Sequence, residues 1–332
     1  MINYCTRVEI PRSVFGISYL DRLLFLGSCF ADYTGTKLVE HGWDACVNPF
    51  GVLYNPLSVA LGCQRLLRPY PFVESDLFEY QGMAHSFMHN GLFSNQSAAA
   101  ALDGMNRSLS EAAACLSGVS CLAITFGTAC VYRLKSDGRP VANCHKLPAS
   151  CFDRELLPVD RIVREWSVLL EELRTVNPKL KVILTVSPVR HWKDGAHLNQ
   201  ISKSTLLLAE QALATQYAGW VSYFPAYELM MDELRDYRFY AEDMLHPSKV
   251  AVDYIWERFC DVYMNDRTKE DVKEVEAILR DTLHRPFHPS SDSYQRFLEQ
   301  LLSKIKQLQD KHPFIRLEKI ENEITDRLQQ LL

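Results

Sequence analysis

Along the first two thirds of the chain, short unbroken apolar runs alternate with longer stretches of helical period. Residues 23–26 (LLFL) run into Gly27, and 43–47 stop at Asn48-Pro49. Cys121–Phe126 (CLAITF) is closed by Gly127. Lys181–Val186 (KVILTV) stands between Asn177-Pro178 and Ser187-Pro188, and 220–224 (WVSYF) ends at Pro225. Apolar runs of this length, punctuated by glycine and proline, predict strands buried on both faces. Residues 30–42 carry Tyr33, Thr34, Leu38 and His41 at three- and four-residue steps and end on glycine, which predicts a helix. Helical period returns over Val159–Val176 and over 202–217. The alternation predicts an α/β fold: a three-layer α/β/α sandwich with a five-stranded parallel sheet and its ligand chemistry at the carboxyl ends of the strands.

The pattern changes after about Met264. From Thr268 onward charged residues dominate, with Phe297, Leu301, Ile305 and Leu308 at heptad-like spacing and a break over 284–293 rich in proline, serine and histidine. This divides the chain into a domain over 1–264 and a charged C-terminal helical extension over 265–332. An amphipathic tail of this kind packs on its own domain or on a partner, and it offers a surface for a homo-oligomer. Apolar residues make up 47% and charged residues 23% of the 332, proportions that exclude global disorder and fibrous repeats. The net charge of −5, from 36 basic and 41 acidic residues, gives no general attraction to nucleic acid or to a membrane surface, so neither is an expected partner. The opening MINYCTRVEIPRSV lacks a basic start with an apolar run, and no stretch approaches the ~18 apolar residues of a membrane span. Several of the ten cysteines lie inside apolar runs. A cytoplasmic protein with free thiols is expected, without a disulfide framework.

Two constellations carry chemistry. Gly27-Ser28-Cys29-Phe30-Ala31 sits where a strand turns into a helix. The helix start aims unpaired N–H groups and a partial positive charge at that turn, which favours a thiolate and can hold an oxyanion. A buried Ser-Cys pair in a tight turn explains the same residues without chemistry. The second is Asp243-Met244-Leu245-His246-Pro247-Ser248. Pro247 suits the first position of a helix, and Asp243 can accept the Nδ1–H of His246, leaving Nε2 as a base. A capping role is the plainer explanation of that pair. Cys144, His145 and Cys151 lack the paired short spacings of a metal site, and no Gly-rich phosphate loop is present, so no metal and no cofactor is expected.

Taken together, the residues resemble a known family. GSCFA (27–31) spells the signature of the GSCFA-domain proteins, a branch of the SGNH/GDSL-like hydrolases. The likeness extends through NPFGVLYNP (48–56), ITFGTACVY (124–132), NCHKLP (143–148), SPVRHWKDG (187–195) and ELRDYRFYAEDMLHPS (233–248), and covers roughly residues 23–259. It implies a flavodoxin-like strand order. Laid on the GDSL register, Cys29 falls at the nucleophile's position, with Ser28 as the alternative, and Asp243 and His246 fall on the Asp-x-x-His block. Gly51, with the N–H of Cys29, takes the place of an oxyanion-hole donor. The third block departs: the relatives' Gly-x-Asn-Asp is Gly127-Thr128-Ala129-Cys130 here, and alanine has no donor. Asn143 and His145 are the candidate replacements. Arg190 (as a clamp for a carboxylate or phosphate), His145 and His85 are the weaker candidates for substrate binding.

These expectations describe an ester hydrolase or O-acyltransferase acting on a small-molecule or carbohydrate acyl ester. The alternative is a catalytically altered binding or scaffold protein on the same fold, for which the missing third-block asparagine speaks.

Overall fold

The structure, a computed structural model, describes residues 6–288 and 290–331. Its frame is a five-stranded parallel sheet built from β1 (Leu23–Gly27), β2 (Ala45–Val47), β3 (Cys121–Phe126), β4 (Lys181–Val186) and β5 (Val221–Tyr223). The strand order is β2-β1-β3-β4-β5, that of flavodoxin-like doubly wound sheets. Leu23 stands opposite Cys121, Cys121 opposite Lys181, and Val182 opposite Val221, so the carboxyl ends of all five strands form one edge.

Alternation along the strands explains the layers. Leu24, Leu26, Leu122, Ile124, Phe126, Val182, Leu184 and Val186 share one core with the apolar faces of α2 (Pro56–Leu67), α3 (Ala98–Leu116), α4 (Val159–Val176) and α5 (Gly195–Gln216). Leu23, Phe25, Cys121, Ala123 and Ile183 point the other way, under α1 (Cys29–Glu40) and the helix Lys249–Tyr263. Both faces of the sheet are therefore dry, which is why its strands read as continuous apolar runs.

The five expected strands are present, with trimmed ends. β2 begins only at Ala45, because Gly42 turns at φ +82° and drops Trp43 onto Tyr19, ring centroids 4.4 Å apart. α5 starts at Gly195, a full turn and more before the expected residue 202. Pro247 lies outside the following helix, whose N-cap is Ser248, accepting the Ala251 N–H. Two small antiparallel sheets had no clear period: the hairpin Phe78–Tyr80/Met83–His85, and Cys130–Leu134 between Pro140–Val141 and Phe152–Leu156.

The extension forms three helices, Asp266–Thr282, Asp292–Lys311 and Glu318–Gln329. Its stripe of Leu301, Ile305 and Leu308 is buried in the same core as Leu23 and Phe25, with Phe297 packed against it. No helix among the described residues is long and apolar enough to cross a membrane.

Candidate active site

The turn after β1 is built around Gly27, whose φ of +137° is closed to side chains. A Cβ there would meet the Thr125 carbonyl oxygen at 2.1 Å, so only glycine lets β1 and β3 approach this closely. Asn48 holds the turn from β2, its Oδ1 accepting the Gly27 N–H at 2.9 Å. Ser28 is buried and is the N-cap of α1: its Oγ accepts the Phe30 N–H at 3.2 Å. Cys29, the first residue of α1, is half-buried. Burial raises its thiol pKa, opposed by the charge of Lys203 and by the N–H groups of Cys29 and Phe30 at the helix start.

Asp243 and His246 meet as expected. The imidazole Nδ1–H donates to Asp243 Oδ2 at 2.5 Å, while the N–H groups of Leu245 and His246 both donate to Asp243 Oδ1 at 2.9 Å. Those donors, led by the His246 N–H, pull the carboxyl down to about 2. The local chain is bent for this. Tyr240 and Pro247 form an isolated antiparallel bridge, Ala241 donates to the His246 carbonyl at 2.8 Å, and Met244 adopts φ +58° at the tip. With Nδ1 committed, Nε2 is the nitrogen left to accept a proton. The pair is well exposed, at 40% for His246 and 47% for Asp243, so the imidazole is within reach of solvent and solutes.

Two residues that the sequence did not single out as catalytic couple to these halves by charge. Lys203, on the inward face of α5, is wholly buried and donates to the carbonyls of Gly127 (2.8 Å) and Ser187 (2.7 Å), at the ends of β3 and β4. Burial lowers its pKa to about 7, with the Cys29 thiolate the largest opposing influence. Glu210, two turns along α5, is also fully buried, and burial together with Glu228 pushes its carboxyl well up. Lys203 and Glu210 feel each other's charge, though among the described residues no ion pair joins them. His191 lies over the third strand's output, its Nε2 3.2 Å from where a Cβ on Gly127 would sit, and edge-on to Tyr54 at 5.4 Å. Burial and then the Lys203 charge lower His191 to about 4, and it feels His246 as well. Charge coupling thus links Cys29 to Lys203, Lys203 to His191 and His191 to His246. Among the described residues no hydrogen bond joins His246 to Cys29 or to Ser28.

Most of the remaining expected residues are occupied elsewhere. Gly51 is required for its turn, at φ +72°, but its N–H donates to the Asn48 carbonyl at 2.7 Å and its Cα faces Asn90, so it is not a free oxyanion donor. Asn143 accepts the His145 N–H at 2.8 Å, and His145 Nε2–H donates to the Ser86 carbonyl at 2.8 Å. His85 accepts from the Ser94 hydroxyl and donates to the Tyr80 carbonyl. His85 and His145 lie together, ring centroids 4.5 Å apart, against Phe78 of the small hairpin. Ala129, at the departed third-block position, gives its N–H to Ser202 Oγ at 2.8 Å. Arg190 alone of the weaker candidates lines the cavity of about 480 Å³ that also includes Asp243.

Comparison with curated proteins gives no match. The model of the GSCFA family matches residues 22–259, the span that carries the sheet, Cys29 and the Asp243–His246 pair. A second, described as GSCFA domain protein, C-terminal domain, matches residues 275–330, within the three final helices. The chain belongs to the GSCFA family.

Proposed function

We propose that the protein is an SGNH-like acyl-transfer enzyme, an ester hydrolase or O-acyltransferase working on small-molecule or carbohydrate acyl esters. The observation that carries this reading is the Asp243–His246 pair, with Nδ1–H bonded at 2.5 Å, open to solvent and coupled by charge through His191 and Lys203 to a half-buried thiol. Cys29 is the preferred nucleophile over Ser28, whose hydroxyl caps α1 from a buried position.

In this reading the Cys29 thiol gives its proton to His246 Nε2 as sulfur attacks the ester carbonyl. Ligand-free sites often hold such partners apart until substrate enters. The developing oxyanion takes the N–H of Cys29, which as the first helical residue has no intrahelical acceptor. The second donor is the His191 imidazole, kept neutral at pH 7 by its burial and by Lys203. Collapse expels the alkoxide, which leaves with the proton from His246, and a thioester remains on Cys29. Water, or a sugar hydroxyl in the transferase case, then attacks with His246 again as base, releasing the thiol and the acid or new ester. Asp243 holds the imidazole tautomer and stabilises the imidazolium. The nine unpaired cysteines among the described residues suit a reducing, cytoplasmic setting.

The second reading is a binding or scaffold protein on the same fold, favoured by the engaged N–H of Gly51 and by Ala129. Incubation with p-nitrophenyl acetate and a thiol-directed acyl probe separates the two. Labelling at one site that is lost in both Cys29→Ala and His246→Ala supports the enzyme. Labelling spread over many cysteines and indifferent to His246 supports the scaffold.

A further inference from the structure

The cavity beside Asp243 has a volume of about 480 Å³, the scale of a one- or two-ring ligand, and is walled by Arg190, Trp192, Tyr237 and Tyr240. Arg235 is paired there with Asp232 at 2.6 Å and Asp236 with Arg238 at 2.8 Å. Asp243 bonds the imidazole of His246, which as the base is uncharged, and so keeps its negative charge. Arg190 is the unpaired cation: among the described residues no carboxylate lies within ion-pair distance of it. Its Nε is buried with no hydrogen-bond partner, and its guanidinium lies over the Trp192 ring at 4.8 Å. Its charge is felt both by Tyr240 at the cavity and by Lys203, the buried neighbour of Cys29. The charge of Arg190 thus acts both on the open cavity and on the lysine that acts on Cys29. A cation left without a counterion at the wall of an open cavity is a ready partner for one anionic group, which the Nη groups, neither buried nor bonded among the described residues, are free to grip. The aromatic walls suit the flat face of a ring attached to that anion.

We propose that this cavity recognises the anionic portion of the substrate: a ring-bearing carboxylate or phosphate, gripped by Arg190 and stacked on Trp192, Tyr237 or Tyr240. The proposal rests on the acyl-transfer reading for the identity of the bound molecule as substrate, but the binding itself does not require turnover. Trp192 and Tyr237 are 48% and 73% exposed, so the wall is reached from solvent.

The test uses the full chain and three unreactive probes of similar shape, namely benzoate, phenyl phosphate and benzamide, titrated by NMR. At least one anion is expected to bind ten- to a hundredfold more tightly than neutral benzamide, the worth of a charged hydrogen-bonded contact. The tighter of the two anions identifies carboxylate or phosphate as the group read. Arg190→Gln should remove the preference, and Arg190→Lys should restore part of it, since a point charge keeps attraction without the fork. Equal binding of all three probes by the wild-type protein overturns the proposal even if the variants misfold, as does an anion preference that survives in folded Arg190→Gln. Anion binding without any Cys29-dependent ester turnover leaves this site standing and removes the acyl-transfer reading. Cys29-dependent turnover with no anion preference does the reverse.

Discussion

Replacing Lys203 with methionine isolates the least ordinary group in the site. The lysine's pKa falls from 10.5 to about 7 through burial, so the folded chain releases a proton that the unfolded chain keeps up to its ordinary range. Every tenfold loss of proton affinity corresponds to about 1.4 kcal/mol, and the full depression is therefore roughly 5 kcal/mol of folding penalty below pH 7. The sign follows directly. The penalty is complete below the folded value and is relieved as pH rises toward the unfolded one, so Lys203 makes the protein more stable with increasing pH across that window. Buried thiols such as Cys46 and Cys63, pushed up to about 12, act in the opposite sense above about pH 8.5. They are common to both proteins and cancel in the difference. Methionine also deletes the bonds to Gly127 and Ser187, which shifts the offset but not the slope. Urea unfolding followed by tryptophan fluorescence, under reductant, should show wild type gaining roughly 2–3 kcal/mol on Lys203→Met between pH 7.5 and 9.5. At pH 7, where about half of the lysine is still charged, alkylation of Cys29 by iodoacetamide should slow in the same variant, because the charge opposing the burial penalty on its thiolate is gone. A difference in stability that stays flat over this pH range would refute the idea of a buried, proton-shedding lysine.

Three further outcomes follow from the geometry. Gly27→Ala forces a methyl onto the Thr125 carbonyl at 2.1 Å in a left-handed backbone, and a loss of roughly 3 kcal/mol or more is expected in denaturant unfolding. Ser28→Ala removes the cap of α1 and should cost about 1 kcal/mol while acyl labelling of Cys29 persists; loss of labelling with an intact fold would transfer the nucleophile's role to Ser28. Asp243→Asn should lower ester turnover by about 10²–10⁴-fold with little change in melting temperature, since the pair is exposed, and unchanged turnover would remove the pair from the mechanism.

Much of the frame was legible because its punctuation is local. Gly27, Asn48-Pro49, Gly127, Ser187-Pro188 and Pro225 mark strand ends whatever the rest of the chain does. The Asp243–His246 pair is legible for the same reason, lying within one tight turn. Lys203 is different. A lysine in an amphipathic helix is expected to face water, and only the packing of α5 over the ends of β3 and β4 turns this one inward. Gly51 looked like a donor because its position in the second block is right, yet whether its N–H is free depends on a turn closed by Asn48. The small sheets escaped notice because their strands are short and partly exposed, and their pairing spans turns of no fixed period.

Leu301, Ile305 and Leu308 belong to the same apolar cluster as Leu23 and Phe25, which α1 and the helix Lys249–Tyr263 cover. The charged extension is therefore continuous with the domain's interior and is not a solvated arm tethered to it. Cutting the chain before Asp292 would bare a greasy flank on the helix layer, a surface prone to sticking to neighbours. The two segments are thus expected to melt as one cooperative unit.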